Sequence, residues 1–266
     1  MADLYQITDL RLSLADMTRK PLFGMAPRLE ILRGISFAIP KGEVIGIVGG
    51  SGSGKSTLGR ALVRLLEPAS GVISFDGTDI THLSDADLRP FRRRFQMIFQ
   101  DPMSSLNPRH RAGTLIAEPL RLHGFDGIRA RVARALDHVG LPQDFSTRYP
   151  HELSGGQRQR IGIARAIALE PDFILADEIV SGLDVSSQAL ILNLLQGLVR
   201  DLGLTLAFIS HDLSVVRRLC ARVMVLHQGQ IVENRETAAL FASPEAQYTK
   251  DLLDAIPLPD PAQVWL

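Results

Sequence analysis

Gly49-Gly50-Ser51-Gly52-Ser53-Gly54-Lys55-Ser56, followed by Thr57, has the spacing G-x-x-x-x-G-K-S. Ahead of it, residues 44–48 read Val-Ile-Gly-Ile-Val, the β-branched run of a strand covered on both faces in a parallel sheet. Behind it, residues 58–66 repeat apolar positions at helical spacing until Glu67-Pro68. Strand, glycine loop and helix in that order predict a phosphate cradle. Only a backbone without Cβ wraps so closely, and its N–H groups point at the anion. Lys55 then reaches the terminal phosphates and Ser56 offers its hydroxyl to Mg²⁺.

Other elements follow outward from this loop. Residues 173–176 form an apolar strand that delivers Asp177 and Glu178 to its carboxyl end, where parallel sheets bind ligands. Asp177 suits the Mg²⁺ shell, and Glu178 the polarising of a water that attacks the γ-phosphorus. A second buried strand at 205–209 leads to His211. Alternation at 4–12 and 34–39 predicts half-exposed strands, with a loop over 17–27. Hairpins are expected at 72–75 with Asp76-Gly77, and at 223–226 with Gln228-Gly229 before Ile231-Val232. Residues 112–169 carry helical pattern and little strand signal, a helical lobe inserted into the core. Pro257, Pro259 and Pro261 make the tail after Tyr248 an extended appendage. Finally, Leu153-Ser154-Gly155-Gly156-Gln157 precedes a helix over 157–168, and so forms a second anion-binding terminus with no phosphate of its own.

With 266 residues, 45% hydrophobic and 22% charged, the chain is large enough for one sizeable α/β core and a smaller lobe. Lys+Arg and Asp+Glu both number 29, so no global field draws it to nucleic acid or an anionic membrane. The run Arg89, Arg92, Arg93, Arg94 lacks the interleaved aromatics that stack bases and reads as a solvated helix face. Cys220, the only cysteine, excludes a disulfide framework and points to a reduced compartment. The start of the chain does not read as a secretory signal. No apolar run approaches the roughly 18 residues that span a bilayer, so any membrane role comes through a partner.

Leu153 to Gln157, together with the glycine loop and the Asp177-Glu178 strand, resembles the nucleotide-binding domain of ATP-binding cassette (ABC) proteins. The resemblance covers nearly the whole chain. It implies an α/β fold, with a P-loop NTPase core of RecA-like type, an N-terminal antiparallel β subdomain and an inserted α-helical subdomain. The ATPase domain would span 1–247, with the helical subdomain at about 101–169. Family members close head to tail, so each ATP lies between the glycine loop of one subunit and the LSGGQ of the other. Leu153, Ser154, Gly155, Gly156 and Gln157 would therefore meet the partner's nucleotide. By the same resemblance Gln100 is the Q-loop glutamine that contacts Mg²⁺ and water, Asp184 lies in the D-loop at the dimer interface, and His211 is the switch histidine at the γ-phosphate. Ile179 stands where the family usually has proline, and Gly182 where many peptide importers have alanine. The aromatic residue that stacks adenine falls near Leu14, which cannot stack; the nearest alternative is Phe23.

The segment from Gln100-Asp101-Pro102 to Asn107-Pro108-Arg109 resembles that of ATPases driving dipeptide, oligopeptide, nickel and glutathione importers, and residues 248–266 resemble their C-terminal extension. Some of those extensions carry an iron–sulfur cluster, but no cysteine follows Cys220. The resemblance thus implies a peripheral ATPase at the cytoplasmic face of the inner membrane, using ATP and Mg²⁺. Its partners would be a second ATPase subunit, identical or homologous, two transmembrane permease subunits, a solute-binding protein acting through the permease, and no nucleic acid. The alternatives are a non-transport ABC ATPase acting on DNA or ribosomes, an exporter ATPase, and a P-loop kinase. The kinase leaves LSGGQ unexplained.

Overall fold

Alternating burial along Asp3–Ala15 (β1) changes phase in mid-strand: Tyr5 and Ile7 are buried, then Leu10 and Leu12. Asp9, at φ 44°, is the extra residue of a β-bulge that shifts the register against Arg28–Pro40 (β2) and returns the apolar side chains to one face. The computed structural model of the chain describes residues 2–16, 24, 26–99, 101 and 105–255, so most of the loop expected over 17–27 lies outside the described residues.

Val44–Val48 (β3) forms as expected and belongs to a different sheet. Ser70–Phe75 (β4) pairs antiparallel with β1 and turns at Asp76-Gly77 into Thr78–Asp79 (β5), giving an antiparallel sheet ordered β2-β1-β4-β5. The other sheet adds Phe95–Ile98 (β6), Phe173–Asp177 (β7), Thr205–Ile209 (β8), Arg222–His227 (β9) and Gln230–Glu236 (β10). Its order is β10-β9-β3-β8-β7-β6, parallel throughout except for β10 at the edge. The parallel strands β3, β7 and β8 end on the same side, which brings Gly49, Asp177 and Ser210 together although they are far apart in sequence.

Lys55–Leu62 (α1) lies between the two sheets. Its Leu58, Ala61 and Leu62 share a core with Ile45 and Ile47 of β3, Leu175, Ile209, and Tyr5 and Ile73 of the antiparallel sheet. The helix stops at Leu62 rather than at Leu66. Arg64 turns to φ 51°, and its buried guanidinium donates to the Ile80 carbonyl at 2.8 Å. The fully buried Tyr5 hydroxyl donates to the Leu62 carbonyl at 3.1 Å and satisfies one of the helix's terminal acceptors. Tyr5→Phe leaves that carbonyl unpaired in the core. It is expected to lower unfolding stability by about 1–3 kcal/mol, read as a shift of the urea midpoint at constant slope.

After Asp85–Arg92 (α2), the helical lobe contains Ala112–Leu122 (α3), Ile128–His138 (α4) and Gly155–Ile167 (α5). These pack on a second core that includes Ile116, Leu120, Leu136, Ile161 and Ala164 and continues into Ile174 and Ala176 of β7. The lobe is thus fastened to the strand that carries Asp177. Val185–Leu202 (α6), Leu213–Leu219 (α7), Thr237–Ala242 (α8) and Gln247–Asp254 (α9) follow towards the C-terminus. Here the sequence expectation fails: the tail does not become extended after Tyr248, because Gln247–Asp254 is helical and the prolines begin only at Pro257. Cys220 is buried, and burial pushes its thiol well above the ordinary range.

Candidate nucleotide site

Strand β3 hands directly to the glycine loop, and the first glycine is dictated by packing. Gly49 has φ 151°, and a Cβ there would fall 2.2 Å from the Leu226 carbonyl oxygen of β9. At the far end of the loop α1 begins behind Gly54 with no side-chain cap, whereas Ser154 and Asp184 cap α5 and α6. A helix start without a side-chain cap leaves its N–H dipoles to a ligand, and an anion is what they favour.

Lys55, nearly buried, donates to the carbonyls of Gly49 and Gly50 at 2.8 and 2.9 Å. Burial draws its ammonium below the ordinary lysine range, with the Glu178 and Asp177 carboxylates pulling the other way. Asp177, at the end of β7 and 6% exposed, accepts from the Ser56 hydroxyl at 3.1 Å. Its carboxyl is pushed up by burial and held back by that hydrogen bond. A buried carboxylate and a hydroxyl in contact form a hard oxygen pair of the kind Mg²⁺ takes, with phosphate and water able to complete the shell. The Ser53 hydroxyl is also buried within the loop and has no partner among the described residues.

Glu178 follows Asp177 in the left-handed region at φ 50°, a conformation that costs energy in a residue with a side chain. The surroundings hold it there: its N–H donates to the Ile209 carbonyl at 3.0 Å, and the Ser181 hydroxyl donates to its own carbonyl at 2.7 Å. The Glu178 carboxylate lies 3.5 Å from Nδ1 of His211, just beyond β8. Thus three strand ends bring together Lys55, Ser56, Asp177, Glu178 and His211. Ile179, the residue in the proline's place, is buried in the core. Gly182 adopts φ 76°, where alanine would be strained.

Leu153 is buried, while Ser154 begins α5 as a capping box. The Ser154 hydroxyl accepts from the Gln157 N–H at 3.3 Å, and the Gln157 side chain accepts from the Ser154 N–H at 2.9 Å. The box engages the N–H groups of Ser154 and Gln157 and not those of Gly155 and Gly156. Beside it, Asp184 caps α6 through Ser187, and a Cβ on Gly156 would lie 3.6 Å from the Ser187 hydroxyl. LSGGQ and Asp184 therefore form one continuous patch. Among the described residues no hydrogen bond joins that patch to Gly49–Thr57 of the same chain. Gln100 and Phe23 lie outside the described residues.

Sequence reasoning missed two contacts of the glycine loop. Gly50 N–H donates to the Tyr248 hydroxyl at 2.7 Å, and Gly229 N–H donates to the Ser53 carbonyl at 3.0 Å. Both bridge long sequence separations, and no local pattern marks them.

Residues 32–181 match the family model described as ABC transporter. A putative peptide import ATP-binding protein of Brucella ovis is 55% identical over 237 residues, covering 88% of this chain and 74% of its own. CbiO1 from Clostridium perfringens, part of the CbiONQ ABC transporter complex, superposes with a TM-score of 0.79 at 29% identity, covering 91% of this chain and 92% of its own. The ATP-binding cassette MJ0796, solved as a dimer in a post-hydrolysis state with ADP and phosphate, gives 0.76 at 29% identity, over 88% and 98%. With its glycine loop, acidic strand end and capped LSGGQ helix in these positions, the chain belongs to the ABC transporter family of ATP-binding proteins.

Proposed function

We propose that the chain is the ATP-hydrolysing subunit of an ABC importer that takes up a small solute of the peptide, nickel-chelate or glutathione class. One contrast within the molecule carries this reading. The helix behind the glycine loop starts without a cap beside Lys55, Ser56 and Asp177, while the LSGGQ helix starts in a separate, capped patch that among the described residues has no hydrogen bond to that loop. Two such surfaces complete each other only between two subunits.

In this reading the loop 49–57 cradles the phosphates of ATP and Lys55 reaches the terminal ones. Ser56, Asp177 and Gln100 hold Mg²⁺, which when bound neutralises charge on the phosphates. Glu178 takes a proton from the attacking water, and His211 meets the γ-phosphate. Ser154, Gly155 and Gly156 of the partner subunit approach the same phosphate from across the interface, with Asp184 beside them. ATP contacts both subunits only when they are closed, so its binding shifts the population towards closure. The dimeric post-hydrolysis structure of the related cassette MJ0796 supports the pairing.

No helix among the described residues is long and apolar enough to cross a membrane. Transport in this reading passes through two permease subunits, fed by a solute-binding protein, with the ATPase docked at the cytoplasmic face. A hollow of about 290 Å³ between the sheet and the helical lobe supports the docking, because Phe99 and Leu122 stand exposed there among Leu65, Pro119 and Met97. The cassette occupies 1–247, with its helical subdomain at about 101–169, and 248–266 is the extension of the peptide-importer type.

The test is transport itself. The chain is purified with the membrane proteins that accompany it and reconstituted in vesicles with the solute-binding protein. It is expected to accumulate solute only when ATP and Mg²⁺ are both supplied. ATP hydrolysis without accumulation of any offered peptide, nickel chelate or glutathione would remove the importer reading.

A further inference from the structure

Gly50 is a junction in the phosphate loop. Its carbonyl accepts from Lys55 Nζ at 2.9 Å and from the Ser53 N–H at 3.2 Å, while its own N–H donates to the Tyr248 hydroxyl at 2.7 Å. The two ends of one amino acid thus link the loop's lysine to a tyrosine 198 residues away. The fit is close, since a Cβ on Gly50 would come within 2.8 Å of that hydroxyl.

Tyr248 is itself held from two sides. Its ring faces that of His227, at the end of β9, with 3.8 Å between centroids and 34° between planes. It sits in the first turn of α9, and the N–H groups of Glu245 and Ala246 just ahead of that helix both donate to the Glu233 carboxylate at 3.1 Å. The Glu233 side chain is only 3% exposed on β10, and a carboxylate at a helix N-terminus suits the helix dipole. The same β9–β10 hairpin supports the second half of the loop through Gly229 and Ser53.

We infer that Tyr248 is a positioning residue of the nucleotide site: its hydroxyl fixes the Gly50 peptide, and through it the arch from which Lys55 reaches for phosphate. The C-terminal helix is then a strut of the phosphate loop and not an appendage. The Gly50 N–H bound by tyrosine lies at the entry of the loop, away from the start of α1, so the strut holds the cradle without blocking the uncapped N–H groups. This inference rests on the ATPase reading for its kinetic consequence, but the contact itself does not depend on it.

Tyr248→Phe in the full chain keeps the ring against His227 and removes only the hydroxyl. Amide hydrogen exchange of the loop, measured without nucleotide, is expected to quicken about five-fold, with a like rise in the KM for ATP and unchanged kcat, the factor that the ordinary net contribution of one hydrogen bond gives. Unchanged exchange in the loop would overturn the inference. So would faster exchange with an unchanged KM, which would reduce Tyr248 to a fastener of α9. A Lys55→Ala control separates the two readings. If the unsubstituted chain binds ATP no better than that variant, the ATPase reading fails, while the nucleotide-free exchange measurement still decides whether Tyr248 holds the loop.

Discussion

Glu178→Gln is expected to bind MgATP as tightly as the unsubstituted chain yet turn it over about 10²–10⁴ times more slowly, the usual loss when a positioned general base is removed. Such a loss corresponds to about 3–5 kcal/mol of barrier. Binding is expected to survive because the groups proposed to hold phosphate are elsewhere: Lys55 is anchored to Gly49 and Gly50, and Ser56 to Asp177. Geometry survives because the Glu178 backbone is fixed by its hydrogen bonds to Ile209 and Ser181 rather than by its carboxylate. Glutamine fills the same space and cannot take a proton. ATP then remains at the interface and the subunits stay closed, so the variant should elute as a dimer with ATP and as a monomer with ADP. Measured phosphate release at the unsubstituted rate would exclude Glu178 as base and leave its strained φ of 50° without a catalytic reason.

Most of what positions these residues could be read from sequence because the signals are local. The strand Val44–Val48, the loop and the start of a helix occupy one unbroken stretch, and each is fixed by its own neighbours. The Asp-Glu ending of β7 and the histidine beyond β8 follow from short apolar runs in the same way. What escaped depends on distant contacts. The end of α1 at Leu62 is set by Tyr5 and by Arg64 reaching Ile80, and neither partner is visible in a helical repeat. The phase change at Asp9 cannot be seen in an alternation that a single inserted residue merely shifts. The helix of residues 247–254 was hidden by the prolines that follow it, and its purpose by the 198 residues separating Tyr248 from Gly50. At the place where the family resemblance puts the adenine-stacking aromatic, Leu14 is 37% exposed opposite the exposed Leu29, an aliphatic pair that offers apolar contact but no aromatic stacking.

Mixing two inactive variants should restore activity if each site is built from two chains. Lys55→Ala removes the cation of the phosphate loop but leaves LSGGQ intact. Ser154→Arg puts a bulky side chain at the helix cap and blocks the surface beside Gly155 and Gly156, but leaves the loop intact. Each variant alone is expected to be inactive, because in a symmetric head-to-tail pair both sites carry the defect. In a mixed pair both defects fall on one site, and the other combines an intact loop with an intact LSGGQ. Random pairing of equal amounts therefore returns up to about a quarter of the original sites, and the yield should follow the product of the two concentrations. A site completed within one polypeptide predicts no recovery at any ratio, since every chain in the mixture carries a defect of its own. The capped LSGGQ patch, which among the described residues has no hydrogen bond to the loop of its own chain, favours recovery. A mixture that stays inactive while the two variants still associate would place the whole reaction inside a single subunit.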